Sequence, residues 1–174
     1  MAEYVVYDGD TGALVRAGFV SDPDMIDYQA AGDEKHFSIR VPDGSFKFPD
    51  LDLEPLRASL AADVDRAAGN VRRVFITDTF GQDAAYQRKS IEAAMVKAGT
   101  IDSAALPYLS AEAKVRDLSL EDMADLVLSQ ASGWIKVDAV IEAKRQGAKL
   151  ALKAAANVRD IVAAAKVDWS TITG

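Results

Sequence analysis

SLEDMADLVLSQASGWIKVDAVIEAKRQGAKLALKAA, Ser119 to Ala155, is the stretch on which the fold turns. Leu120, Met123, Val127, Gln130, Trp134, Val137, Ile141, Ala148 and Leu152 recur close to a heptad rhythm. That spacing predicts one long helix carrying a single stripe. Glu121, Asp122 and Asp125 sit at its start, and Lys144, Arg145, Lys149 and Lys153 near its end. The helix dipole favours this polarity. Ser119 with Asp122 three residues later reads as a capping-box variant. Gly133 and Gly147 are its weak points, at about 1 kcal/mol each relative to alanine. About 35 residues would reach roughly 50 Å. Such length points to a bundle or an oligomeric seam, in which Gln130 could set the register.

Before this helix, Leu53, Leu56, Leu60, Val64, Ala67, Val71 and Val74 form another apolar stripe. Asp52 is placed to cap it and Pro55 lies in its first turn. Thr77-Asp78-Thr79 and Gly81 break it. A short helix from Ser110, acting as cap, to about Arg116 follows a connector containing Pro107-Tyr108-Leu109. Asn157 is read as the cap of a last helix that buries Val158, Ile161, Val162 and Ala165.

Residues 1–50 read differently. YVVYDGDTGALVRAGFV predicts two strands around a turn punctuated by Asp8-Gly9 and Thr11-Gly12. Asp8, Asp10 and Gly12 touch the opening of a calcium loop, but position 19, where its bidentate Glu would fall, is Phe. Met25, Ile26 and Tyr28 fit a helical turn ended by Gly32. HFSIRV alternates as a strand, with Phe46 and Phe48 on a partner strand after Pro42-Asp43-Gly44. His36, the only histidine, is read as a strand-edge surface residue. The fold class is therefore α+β: a small β-rich module, 1–50, followed by an α-helical bundle, 51–174, with one long heptad-like helix.

Charge steps at the same place. Residues 1–50 hold 4 Lys and Arg against 10 Asp and Glu, and residues 51–174 hold 16 against 17. The formal net charge of −7 gives no electrostatic footprint for nucleic acid. The chain has no cysteine, which excludes disulfides, thiol nucleophiles and thiolate metal sites. Its start, MAEYVVYDGD, does not read as a secretory signal, and no apolar run is long enough to insert into a membrane.

The densest polar cluster is GQDAAYQRKSIEAA, Gly81 to Ala94. Ala84, Arg88, Ile91, Met95 and Ala98 follow one helical face, and Tyr86, Lys89 and Glu92 share another. A catalytic Tyr–Lys couple of the short-chain dehydrogenase kind needs Tyr-x-x-x-Lys. Tyr86 and Lys89 are one residue short of it, and no Gly-rich dinucleotide turn accompanies them. The helix therefore reads as a packing element with solvated ion pairs. Gln82, Tyr86, Lys89, Glu92, Trp134, Trp169 and Ile172 are candidate interaction or packing positions. No catalytic residue, cofactor site or metal site is assigned. A cell-wall hydrolase would need an acid/base pair drawn from dispersed carboxylates.

VVYDGDTGALVRAGFV, DPDMIDYQAAGDE and RVPDGSFKFPD, followed by RRVFITDTFGQDAAYQRKSIEAA and the segment from Ala105 to Ala155, together resemble a family of tailed-bacteriophage and prophage tail-module proteins. The more specific features are the Gln–Tyr–Lys–Glu-Ala helix, the Pro-Tyr-Leu connector and a Trp ahead of Ile-Glu-Ala. The resemblance implies a non-catalytic tail fibre, tail-tip or baseplate component, made in the host cytoplasm and located in the virion. It implies other tail or virion proteins as partners and a homo-oligomer, with a trimer favoured. The alternative is a tail-fibre assembly chaperone not retained in the virion. Gln82, Tyr86, Lys89, Glu92, Pro107, Trp134, Glu142 and Arg145 are motif positions without an implied role.

Overall fold

The computed structural model describes residues 1–30, 35–47, 50–76, 82–100 and 102–172. Gly32, Phe48, Thr77-Asp78-Thr79, Gly81 and the side chain of Asp83 lie outside the described residues.

An antiparallel three-stranded sheet opens the chain: β1 (Ala2–Asp8), β2 (Leu14–Val20) and β3 (His36–Val41), in the order β2-β1-β3. β1 is central, with Tyr4 opposite Gly18 and Arg40, and Val5 opposite Ala17 and Ile39. Its unbroken apolar run Tyr4-Val5-Val6-Tyr7 suits burial on both faces. Val5 and Tyr7 join one core, whereas Ala2, Tyr4 and Val6 pack with Ile26 in another. Ile26 lies between two 3-10 turns, Pro23–Met25 and Asp27–Ala30, which replace the expected single helical turn. The expected partner strand after β3 is corrected too. β3 pairs with β1, while β4 (Phe46–Lys47) pairs with β5 (Asp50–Leu51) in a separate hairpin.

The β1–β2 turn shows why Asp8 belongs to a hairpin. Its Oδ1 accepts from the Asp10 N–H at 3.0 Å, the Thr11 N–H at 2.7 Å and the Thr11 hydroxyl at 2.9 Å. The two Thr11 bonds hold its carboxyl below the usual carboxylate range. Gly12 sits at φ 74°, and a Cβ there would meet Asn157 Oδ1 at 2.4 Å. Backbone conformation and close approach both require glycine.

Among the described residues five helices follow: α1 (Glu54–Phe75), α2 (Gln82–Lys97), α3 (Pro107–Arg116), α4 (Leu120–Ala154) and α5 (Val158–Ala165). Asp52 Oδ1 accepts the Glu54 N–H at 3.0 Å, the expected start signal of α1. Leu56, Val64 and Ala68 are its buried residues, so the stripe runs through Ala68 instead of Ala67, and Val74 is exposed. α4 is the predicted long helix of 35 residues. At its start Ser119 Oγ accepts the Asp122 N–H at 3.0 Å and donates to Asp122 Oδ2 at 2.6 Å. The aspartate is too short to reach back to the Ser119 backbone as a glutamate would, so it takes the hydroxyl. Asn157 Oδ1 accepts the Asp160 N–H at 3.0 Å and so caps α5; Val158 and Ile161 are buried, while Val162 and Ala165 are half-buried.

The chain forms two compact units: Met1–Gly69 with Glu142–Trp169, and Asn70–Ile141 with Ser170–Gly174. The charge step at residue 50 falls inside the first. That unit's core holds Val5, Tyr7, Val41, Leu56, Val64, Ala148, Leu152, Val158 and Ile161, with Trp169 packed against it. The second unit's core holds Ala93, Val96, Leu106, Leu109, Ala113, Met123, Ala124 and Val127. Met123, Val127, Ile141, Ala148 and Leu152 of the α4 stripe are thus buried within the chain itself, Leu120, Trp134 and Val137 are half-buried, and Gln130, expected inside it, is exposed. Among the described residues no helix is long and apolar enough to cross a membrane.

Candidate functional site

In the second unit the polar residues of α2 meet α3. α3 begins at Leu106-Pro107 with no side chain at its N-cap accepting a hydrogen bond. Pro107 lacks an N–H, but Leu109, two residues on, has a donor that needs an acceptor. Glu92 supplies it from α2: its Oε2 accepts the Leu109 N–H at 2.8 Å, and its Oε1 accepts from Arg88 Nε at 3.0 Å. The Glu92 side chain is 0 % exposed, whereas Arg88 is 47 % exposed. The expected capping role of Ser110 and the expected solvated position of Glu92 are both corrected. An anion at a helix N-terminus is stabilised by unpaired N–H groups and the dipole, which offsets the cost of burying it.

This bond also sets the rotation of α2. Glu92, Ala93 and Val96 turn inward, and Ile91 on the opposite row is 55 % exposed. Apolar periodicity alone favoured the row through Ile91; the carboxylate's need for a partner prevails over one isoleucine. Lys89 lies on the inward side and its Nζ is 2.8 Å from Glu112 Oε2 on α3. Glu112 also accepts from Arg116 Nε at 2.9 Å. Lys89 first, and Arg116 after it, hold the Glu112 carboxyl below the usual carboxylate range.

Tyr86 is exposed, its hydroxyl accepts from Gln82 Nε2 at 2.7 Å, and Lys89 Nζ stands 5.0 Å from its ring centroid. An ammonium over the ring face makes a cation–π contact. Activation of a phenol would place it beside the hydroxyl. Lys89 is neutralised by Glu112 and Glu92 is enclosed, so these groups link helices. From α2, Lys97 reaches α4, with Nζ 2.6 Å from Glu121 and 2.7 Å from Asp125.

The motif positions Glu142 and Arg145 do similar work in the first unit. Arg145 donates to Glu142 through Nε at 2.9 Å and Nη2 at 2.7 Å, and through Nη1 to Asp65 of α1 at 2.5 Å. Lys149 adds a bond to Asp65 at 2.8 Å. Lys149 and Arg145 together hold the Asp65 carboxyl below the usual range.

Of the remaining candidates, Trp134 is half-buried on α4, Trp169 is half-buried on the first core, and Ile172 is half-buried. The structure brings Gln82, Tyr86 and Lys89 together, places Glu92 and Lys89 both against α3, and packs Trp169 on the first unit's core. Glu3 was missed by sequence reasoning: it is buried and accepts the N–H groups of Gly44 at 2.7 Å and Ser45 at 3.1 Å. A strand glutamate gives no signal of that. For Glu92 a signal existed, a proline-led helix without a capping residue. Among the described residues no group of three or more His, Cys, Asp or Glu could hold a metal ion; His36 Nε2 lies 3.9 Å from Asp8 Oδ2. The chain matches no model of a known protein family, no curated protein and no solved structure.

Proposed function

We propose that the chain is a non-catalytic structural component of a bacteriophage tail (tail fibre, tip or baseplate) that works by docking to other virion proteins and by homo-oligomerisation. The observation that supports it is the engagement of Gln82 and Lys89 with Tyr86, and of Lys89 and Glu92 with α3. The polar side chains of α2 tie it to α3 and α4. Mass spectrometry of gradient-purified particles tests the reading, and the chain is expected among the virion proteins at fixed copy number.

A second reading, an assembly chaperone absent from the finished particle, draws on the burial of Met123, Val127, Ala148 and Leu152 inside the chain. A heptad stripe used internally is not free to form a subunit seam. Abundance in the lysate with absence from purified particles would transfer the assignment to this reading.

A further inference from the structure

β2 is an edge of the three-stranded sheet, paired with β1. The Asp8 N–H donates to Ala13 O at 2.9 Å, and the Gly9 N–H donates to Lys35 O at 2.7 Å. Even-numbered residues of β1 therefore bond to β2 and odd-numbered ones to β3. Ala2, Tyr4 and Val6 lie opposite Val20, Gly18 and Arg16. Those three β2 residues turn their main-chain groups to β1, and Ala17 and Phe19 turn theirs outward. The strand is exposed along this side: Leu14, Val15 and Phe19 are 48 %, 46 % and 57 % exposed, and Arg16 and Ala17 are exposed as well. The 3-10 turn Asp27–Ala30 packs along β3. A register shift at Val15 ends the regular pairing, so the regular run is Arg16 to Val20, with Gly18 at its midpoint.

An edge strand is commonly guarded by lysine, proline or a covering element. β2, Leu-Val-Arg-Ala-Gly-Phe-Val, has neither lysine nor proline, and its regular run is its own complement. We propose that β2 pairs antiparallel with β2 of a second copy of this chain, about a two-fold axis at Gly18. Ala17 of each copy then lies opposite the partner's Phe19, and each of these pairs exchanges both main-chain hydrogen bonds. Gly18 meets the partner's Gly18 at the non-bonded position between them, and Arg16 meets the partner's Val20. The two Phe19 rings become diagonal neighbours across the axis, each already 5.6 Å from Phe46 of its own chain. Charge also favours a second copy. β2 carries no carboxylate, although residues 1–50 hold 10, and this register keeps the two Arg16 positions four residues apart, about 13 Å. Exposed Asp22, just past the end of β2, comes to the end of the pair where the partner's Arg16 lies. The inference rests on the homo-oligomerisation proposed above and names its surface; being two-fold, the contact does not by itself close a ring of three.

The test is an isotope-filtered NMR experiment on a mixture of labelled and unlabelled full chain at millimolar concentration. Cross-peaks between the Ala17 methyl of one copy and the Phe19 ring of the other are expected, with slowed hydrogen exchange at both amides. Ala17→Pro removes an outward N–H that β1 does not use, at a position where edge strands accept proline. It should return the Phe19 amide to fast exchange while the β1 amides stay protected. Phe19→Lys, at an exposed side chain, should weaken self-association about tenfold, because two cross-strand pairs change at once. Fast exchange at Ala17 and Phe19 without cross-peaks would overturn the proposal. Slow exchange without cross-peaks would overturn it too, since the edge would then be covered by its own chain. Self-association unaltered by Phe19→Lys, or contacts between copies confined to α4, would overturn it in favour of another seam. None of these results depends on whether particles contain the protein, so the pairing fails separately from the virion reading.

Discussion

Glu92, fully buried, ties α2 to the start of α3. Glu92→Ala leaves the buried Leu109 N–H without an acceptor and opens space at the α2–α3 contact. A loss of about 2–4 kcal/mol is expected by urea denaturation. Glu92→Gln keeps an acceptor and should lose clearly less. Tyr86→Phe, which removes only the exposed bond from Gln82, should cost less than about 1 kcal/mol. Equal losses for Glu92→Ala and Tyr86→Phe would mean that Glu92 does not cap α3. The same α2–α3 contact has a pH signature. The folded state depresses the Glu112 pKa below its ordinary 4.5, chiefly through Lys89. Its contribution is therefore complete above the unfolded pKa and disappears as pH falls through the lower folded value. Lys89→Met should flatten the fall in stability between pH 5 and the acid limit, read from urea midpoints at successive pH values. An unchanged slope would sink the assignment.

Among the elements, α4 persists through both of its glycines because a 35-residue helix anchored in two cores tolerates local losses. A Cβ at Gly133 or Gly147 meets nothing within 4 Å. Gly133→Ala and Gly147→Ala should each therefore stabilise by about 0.5–1 kcal/mol, seen as a melting point a few degrees higher. A drop in melting point would mean that another chain approaches the helix backbone there. β1 shows the opposite economy: buried on both faces, it depends on the 3-10 turns on one side and the helices on the other.

At the scale of the whole molecule the question is copy number. Light scattering across a concentration series is expected to give a mass of about three times 18.6 kDa under the trimeric reading. A mass near 18.6 kDa would place the assembly-chaperone reading first. Because Met123, Val127, Ile141, Ala148 and Leu152 of the heptad stripe are already internal, a trimer would need a seam of outward residues. On α4 these include Ile135, Val140 and Leu150, which are 64 %, 46 % and 68 % exposed. Lysine or glutamate at Ile135 or Leu150 should then lower the mass without loss of helicity.

The order of strands and helices, the length of α4 and the caps at Asp52, Ser119 and Asn157 were legible in the chain, because periodicity and capping are local and act over three or four residues. The start of α3 was read with Ser110 as its cap, whereas the acceptor of the Leu109 N–H is Glu92, 17 residues away on another helix. Which face of α2 turned inward, where Glu3 and Glu92 were buried, and whether the α4 stripe met its own chain or a neighbour were decided only by tertiary structure. Those outcomes depend on which distant groups come within hydrogen-bonding or packing range, and no local pattern carries that information.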